Sequence, residues 1–124
     1  PETLEVRGDA TLVVQALTNL VDNAIKYTPE FGTIRVRGAF DGDAVRVSIT
    51  DSGPGIAPEH QALIFRRFYR VDSDRGRASG GYGVGLAIAK RALELSEGTM
   101  ELQSEVGQGS CFTMKLRPAA DAIA

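Results

Sequence analysis

The sequence predicts an α+β fold: a two-layer α/β sandwich, with about three helices on one face of a mixed, mostly antiparallel sheet of about five strands. Three observations carry that expectation. Strand-type alternation comes in neighbouring pairs, residues 33–38 with 44–50 and about 99–104 with 110–116, each joined by a glycine-containing turn. Helix-type periodicity runs from about Ala10 to Tyr27 and from about Val84 to Leu95. The regular strand–helix alternation of a doubly wound parallel sheet is missing, so helices and antiparallel strands should segregate into layers.

Along the chain, Leu4-Glu5-Val6 is already strand-like, and Asp9 stands where the N-cap of the first helix belongs. Leu12, Val13, Ala16, Leu17, Leu20 and Ala24 form the apolar face of that helix, and Thr28-Pro29-Glu30-Phe31-Gly32 ends it. In the first strand pair Ile34, Val36, Val45, Val47 and Ile49 should face the core, leaving Arg35, Arg37 and Arg46 on a wet face. Asp41-Gly42-Asp43 supplies their hairpin turn. Pro58 suits the first turn of a short helix reaching about Phe65. Residues 68–82, rich in charge, glycine and serine, read as a mobile loop. The last helix should end near Glu97-Gly98, and Gly107-Gln108-Gly109 turns the final strand pair.

At 124 residues the chain holds one domain with a single core. Its formal net charge of −2 gives no general attraction to nucleic acid or an anionic membrane, so neither is expected as a partner. No stretch approaches the roughly 20 apolar residues of a membrane span, and no signal peptide opens the chain. The single cysteine, Cys111, cannot close an internal disulfide, which fits a reducing compartment; its strand position reads as a buried structural thiol. The lone histidine, His60, reads as surface and builds no zinc site. The chain opens at Pro1, close to a strand. The expected domain is therefore residues 1–118, excised from a longer protein, with 119–124 a flexible tail.

Gln15, Asn19, Asn23 and Lys26 share one face of the first helix. Such a stripe is usually solvated surface. Asparagine, however, is a poor helix former with no solubility advantage over Glu or Lys, so two of them one turn apart are better explained as ligands. Amide oxygens are hard donors of the kind Mg²⁺ accepts while sharing phosphate and water, and Lys26 can neutralise phosphate charge.

The second strand delivers Asp51 into a turn containing Gly53 and Gly55. A fixed carboxylate accepts a hydrogen bond from adenine's exocyclic amine and disfavours guanine's carbonyl. Both glycines are expected to take positive φ and let backbone approach a base, although an Asp-x-Gly turn alone is commonplace. Gly80, Gly81, Gly83 and Gly85 precede the last helix, where backbone amides form an anion site suited to a di- or triphosphate. Their G-x-G-x-G spacing is not the dinucleotide fingerprint, and no Gly-Lys-Ser/Thr of a P-loop occurs. Between these segments lie Phe65 and Phe68, expected as core anchors. Arg70 and Arg75 could reach the β- or γ-phosphate, or simply be solvated.

Taken in order, Asn19–Tyr27, Asp51–Ile56, Gly80–Leu86 and Gly107–Ser110 resemble the N box and three glycine boxes of sensor histidine kinases, and Phe65–Phe68 resembles their F box. The likeness covers about Gly8 to Pro118. It implies the Bergerat (GHKL) ATP-binding fold and the catalytic domain of a two-component kinase that uses ATP and Mg²⁺. Carried over residue by residue, it makes Asn23 the main Mg²⁺ ligand with Asn19 assisting, and has Lys26, Arg70 and Arg75 contact phosphates. Tyr27 would pack on the nucleotide, and Asp51 would hold adenine beside Gly53, Gly55 and Ile56. Gly81, Tyr82, Gly83, Val84, Gly85 and Leu86 would embrace the phosphates, with residues 68–82 as a lid. Asn19, Lys26 and Arg70 are implied as the catalytic groups. Ser110, Val84 and Arg66 depart from the common Thr, Leu and Glu without removing a ligand.

The resemblance further implies a histidine acceptor on a dimerisation and phosphotransfer domain, and onward transfer to a response-regulator aspartate. It implies a monomeric, nearly inactive isolated domain, a homodimeric full-length protein, and a cytoplasmic position in a membrane-anchored bacterial sensor. No helical pair with a His-Glu or His-Asp acceptor motif occurs in this chain. Two alternatives share the fold. A GHKL ATPase or serine kinase would be favoured by glutamate at position 19, where an amide is a poor general base. A non-catalytic interaction module would be favoured by loss of Asp51, Asn23 or the glycines, all of which are present.

Overall fold

The computed structural model describes residues 6–7, 10–42, 44–66 and 85–118. Helix α1 (Ala10–Tyr27) has the bounds that its periodicity predicts. It buries Ala16, Leu20 and Ala24 and half-buries Leu12, Val13, Leu17 and Val21. Its last turn closes on the Ala24 carbonyl, which accepts the Thr28 N–H at 3.0 Å and the Thr28 hydroxyl at 2.6 Å. Pro29 then has no N–H with which to continue.

Strands β2 (Ile34–Asp41) and β3 (Ala44–Asp51) form an antiparallel hairpin in register from Ile34↔Asp51 to Asp41↔Ala44. The first strand runs three residues beyond its expected end, to Asp41, and Gly42 follows it at φ 65°. The single helix expected after Pro58 is split into α2 (Pro58–Gln61) and a 3₁₀ turn at Leu63–Phe65. That turn buries Ile64 and sets the Phe65 ring edge-on to Phe112, centroids 6.1 Å apart. Helix α3 (Gly85–Leu95) is followed by β4 (Thr99–Glu105) and β5 (Gly109–Pro118). A two-residue strand, β1 (Val6–Arg7), pairs with the far end of β5.

The sheet order is β1-β5-β3-β2, with β4 also on β5. Four strands are full length, and every ladder among the described residues is antiparallel, where a mixed sheet was expected. Helices α1 and α3 pack on each other and on one sheet face. Between them and the sheet lie Ile49, Phe112, Met114 and Leu116. The other face carries Arg46, which meets Glu101 at 3.3 Å, and the hydroxyl pair Ser48–Thr113 at 3.2 Å.

Two expectations of burial need correction. Ile34 and Val36 lie on the helix side of the sheet, since Val36 is opposite Ile49, yet they are 38% and 51% exposed. The buried cluster is drawn from α1, α3, β3, β5 and the 3₁₀ turn, and none of it from the outermost strand β2. Cys111 is half-buried on the outer face, where the Thr50 hydroxyl approaches its sulfur at 3.3 Å. Helix α3 ends near Glu97-Gly98 as expected: Glu97 takes the left-handed region (φ 63°), and a Cβ on Gly98 would lie 2.7 Å from the Lys115 carbonyl oxygen. Among the described residues, no helix is long and apolar enough to cross a membrane.

Candidate functional site

Register places Ile34, Asp51, Ser110 and Ser104 side by side across β2, β3, β5 and β4. Asp51 and Ser110 are both buried, at 6% exposure. A carboxylate removed from water needs donors. The Gly53 N–H donates to Asp51 Oδ1 at 2.8 Å, which fixes the carboxylate and engages one of its two oxygens.

The two glycines after Asp51 serve different ends. Gly55 takes φ 80°, and a Cβ on it would overlap the Glu105 carbonyl. Gly53, expected to take positive φ as well, does not. It is glycine because the loop passes against the end of α1, where a Cβ would lie 2.6 Å from the Tyr27 carbonyl oxygen.

The loop from Ser52 to Ala57 has no regular structure and is held by specific bonds. Ser52 N–H donates to Thr33 O (3.0 Å), and Thr33 N–H returns a bond to Ser52 Oγ (2.8 Å). Gly107 N–H reaches back to Pro54 O (2.8 Å). Ile56 N–H donates to Ser104 Oγ (2.8 Å), and Gln61 Nε2 donates to Ile56 O (2.9 Å) and Ser104 O (3.1 Å). Ser104 was not among the residues expected from sequence. The signal was nevertheless present: inward positions of the last-but-one strand read Met100, Leu102, Ser104, and a polar residue at an inward position needs a reason.

The polar stripe of α1 is graded. Gln15 and Lys26 are exposed, while Asn19 and Asn23 are half-buried. Gly85 opens α3 beside Asn19, whose Oδ1 is the nearest neighbour, at 4.0 Å, to where a Gly85 side chain would begin. Thus α1 bridges two groups of residues. Its middle faces the start of α3, where Gly85 and half-buried Leu86 lie, and its final carbonyl abuts Gly53 and the Asp51 turn. The Tyr27 side chain is 47% exposed and Ile56 packs against the core edge. Arg70, Arg75, Gly81, Tyr82, Gly83 and Val84 lie outside the described residues, as do Asp9, Phe68, Gly80 and the whole 68–82 loop.

Among the described residues no three His, Cys, Asp or Glu side chains converge on a metal site. The hard donors on the polar stripe of α1 are the amide oxygens of Asn19, beside the start of α3, and of Asn23, one turn further along the helix. That donor set suits an ion that keeps waters and takes its remaining oxygens from a ligand. An open depression of about 420 Å³ lies at the end of the sheet; it touches Asp51, Ser104 and Ser110 but no residue of α1.

Residues 8–120 match the family model of histidine kinase-, DNA gyrase B- and HSP90-like ATPases. The sensor-like histidine kinase SenX3 of Mycobacterium tuberculosis is 46% identical over 116 residues, which are 94% of this chain and 28% of that protein. The phosphate regulon sensor protein PhoR of Pseudomonas aeruginosa is 41% identical over 94% of this chain and 26% of its own length. The chain therefore spans about a quarter of these relatives. Among solved structures, the mycobacterial sensor histidine kinase MprB superposes with a TM-score of 0.78 at 31% identity, covering 91% of this chain and 74% of that one. Full-length ShkA in complex with AMPPNP gives 0.77 at 36% identity, over 94% of this chain and 24% of that one.

Proposed function

From the premise that the chain belongs to the family of histidine kinase-, DNA gyrase B- and HSP90-like ATPases, as an ATP-binding catalytic domain of sensor histidine kinase type, we propose that it binds Mg²⁺–ATP with Asp51 reading adenine and presents the γ-phosphoryl group to a histidine. One observation carries the assignment of Asp51. Its carboxylate is buried at the end of the sheet and held by the Gly53 amide, with an oxygen left over for an exocyclic amine. Guanine would set a carbonyl against that oxygen, acceptor to acceptor.

Asn19 and Asn23 are the proposed Mg²⁺ ligands, and Lys26 a phosphate contact from the exposed end of the stripe. When bound, Mg²⁺ supplies neutralisation of phosphate charge. Gly85, at the first residue of α3, presents a helix N-terminus to the same region, suited to anionic oxygens. Asn19 cannot take a proton at neutral pH, which supports retention of ATP until a nucleophile is delivered. Arg70, Arg75 and the Gly81–Val84 segment are proposed to complete the phosphate side. The bound AMPPNP of ShkA, a relative in both sequence and structure, supports the nucleotide reading.

We assign the acceptor histidine to a dimerisation domain of a longer protein, and the final phosphoryl acceptor to a response regulator. Cytoplasmic placement in a membrane-anchored, homodimeric sensor follows as part of the same proposal. The test is calorimetric titration with ATP, with and without Mg²⁺, and with GTP. Mg²⁺-assisted binding of ATP in preference to GTP is expected. Asp51→Asn should keep the Gly53 bond through its amide oxygen and turn an NH₂ toward the base, donor to donor. Its Kd should rise at least about tenfold with an unchanged melting profile. Wild-type affinity in this variant would remove Asp51 from the site.

A further inference from the structure

We propose that Ser104, supported by Gln61, is a positioning residue for base recognition: it locks the Gly53–Ile56 loop onto the β4–β5 hairpin and so fixes how Asp51 is presented. The inference rests on the nucleotide reading above and adds to it a residue that touches no nucleotide.

The argument begins with hydrogen-bond capacity. A serine hydroxyl has one proton to give and two lone pairs to receive. Ser104 Oγ has three partners: the Ile56 N–H at 2.8 Å, the Gly109 carbonyl at 3.0 Å and the Ser110 hydroxyl at 2.8 Å. Ile56 can only donate and the Gly109 carbonyl can only accept. All three bonds are made together in one arrangement, in which Ser104 gives its proton to Gly109 and Ser110 donates to Ser104. The hydroxyl is then saturated. Ser110, the direct neighbour of Asp51 across the β3–β5 ladder, has its proton turned toward Ser104 and away from Asp51.

The second step is mechanical. Asp51 is held on its strand side by ladders to Ile34 and Ser110, but the chain that follows has only isolated anchors. From Pro54 to Ile56 these anchors are the Gly107 N–H on Pro54 O, Ser104 Oγ on the Ile56 N–H, and the Gln61 amide on Ile56 O. Gly55, which no side-chain-bearing residue could replace without meeting the Glu105 carbonyl, presses the same loop onto the end of β4. Gln61 Nε2 also bonds Ser104 O, so it ties both sides of the contact to α2. Removing the Ser104 hydroxyl would leave the Ile56 N–H, the Gly109 carbonyl and the Ser110 hydroxyl short of a partner at once. The Gly53 amide that orients Asp51 lies on the loop thus released.

The test compares wild type with Ser104→Ala, Ser104→Thr and Gln61→Met, measuring Kd for ATP, ADP and GTP by calorimetry alongside thermal melts. For Ser104→Ala, Kd for both ATP and ADP should rise by about tenfold, since the adenine end is affected and the γ-phosphate is not. The preference for ATP over GTP should shrink by a similar factor. Ser104→Thr, which keeps the hydroxyl, should recover most of both. Gln61→Met, which keeps the length and loses the amide donor, should act in the same direction by about threefold, and it decides the matter if Ser104→Ala does not fold. A lower melting temperature with the ATP-to-GTP ratio intact would show a merely structural residue and overturn the inference. Failure of wild type to bind ATP at millimolar concentration would instead overturn the nucleotide reading.

Discussion

Glu97 closes α3 in the left-handed region, a conformation costing a side-chain-bearing residue about 1 kcal/mol or more relative to glycine. It does so because the closure needs that geometry. Gly98 N–H bonds Leu93 O at 2.8 Å, and Glu97 N–H bonds Glu94 O at 3.0 Å. The Glu97 carboxylate also meets the Arg117 guanidinium, but both side chains are more than half exposed, so the pair contributes little. Glu97→Gly is therefore expected to stabilise the domain by about 0.5–1 kcal/mol, raising Tm by about 2–5 °C in a thermal melt. Gly98→Ala, at the next position, should lower Tm, since its Cβ would crowd the Lys115 carbonyl. The sequence marks where this helix ends, but Glu-Gly and Gly-x closures look alike in composition. Which of two adjacent residues takes the left-handed turn depends on β5, whose Lys115 carbonyl lies against Gly98.

The same distinction between local and tertiary information governs the strands and helices. The bounds of α1 were legible because its periodicity, breaker and capping threonine are all local. The alternation of β2 correctly assigns Val36 to the helix side, but alternation cannot say whether anything covers that side. Helices α1 and α3 pack over β3 and β5, leaving Val36 and Phe40 more than half exposed on the outermost strand. Arg35 and Arg37, on the opposite side of that strand, are the kind of charge that discourages edge-to-edge pairing. A paired measurement checks this account. Ile49→Ala, one strand inward and fully buried, should cost about 2–5 kcal/mol in denaturant unfolding, whereas Val36→Thr should stay within about 0.5 kcal/mol. In the site, likewise, Asp51 and its glycines were visible as a motif. Ser104 was legible only as a polar residue at an inward strand position, because its bond to the Ile56 N–H, 48 residues earlier, forms only when β4 lies beside β5 and the loop comes to rest on it.

At the scale of the whole domain, the last strand among the described residues is the middle of the sheet. β5 pairs with β3 on one side and β4 on the other, and β1 clips onto its end. Until it exists, the β2–β3 hairpin and the two helices have no floor to settle on: Phe112, Met114 and Leu116 are three of the four sheet residues in the buried cluster. The domain thus has no stable partial version. A chain ending at residue 108 should show no cooperative melt, while one ending at 118 should melt as a unit. Asp51 gains its neighbour Ser110 in that same closing event, so the carboxylate turn and the core take shape together, when the ten residues of β5 enter the sheet.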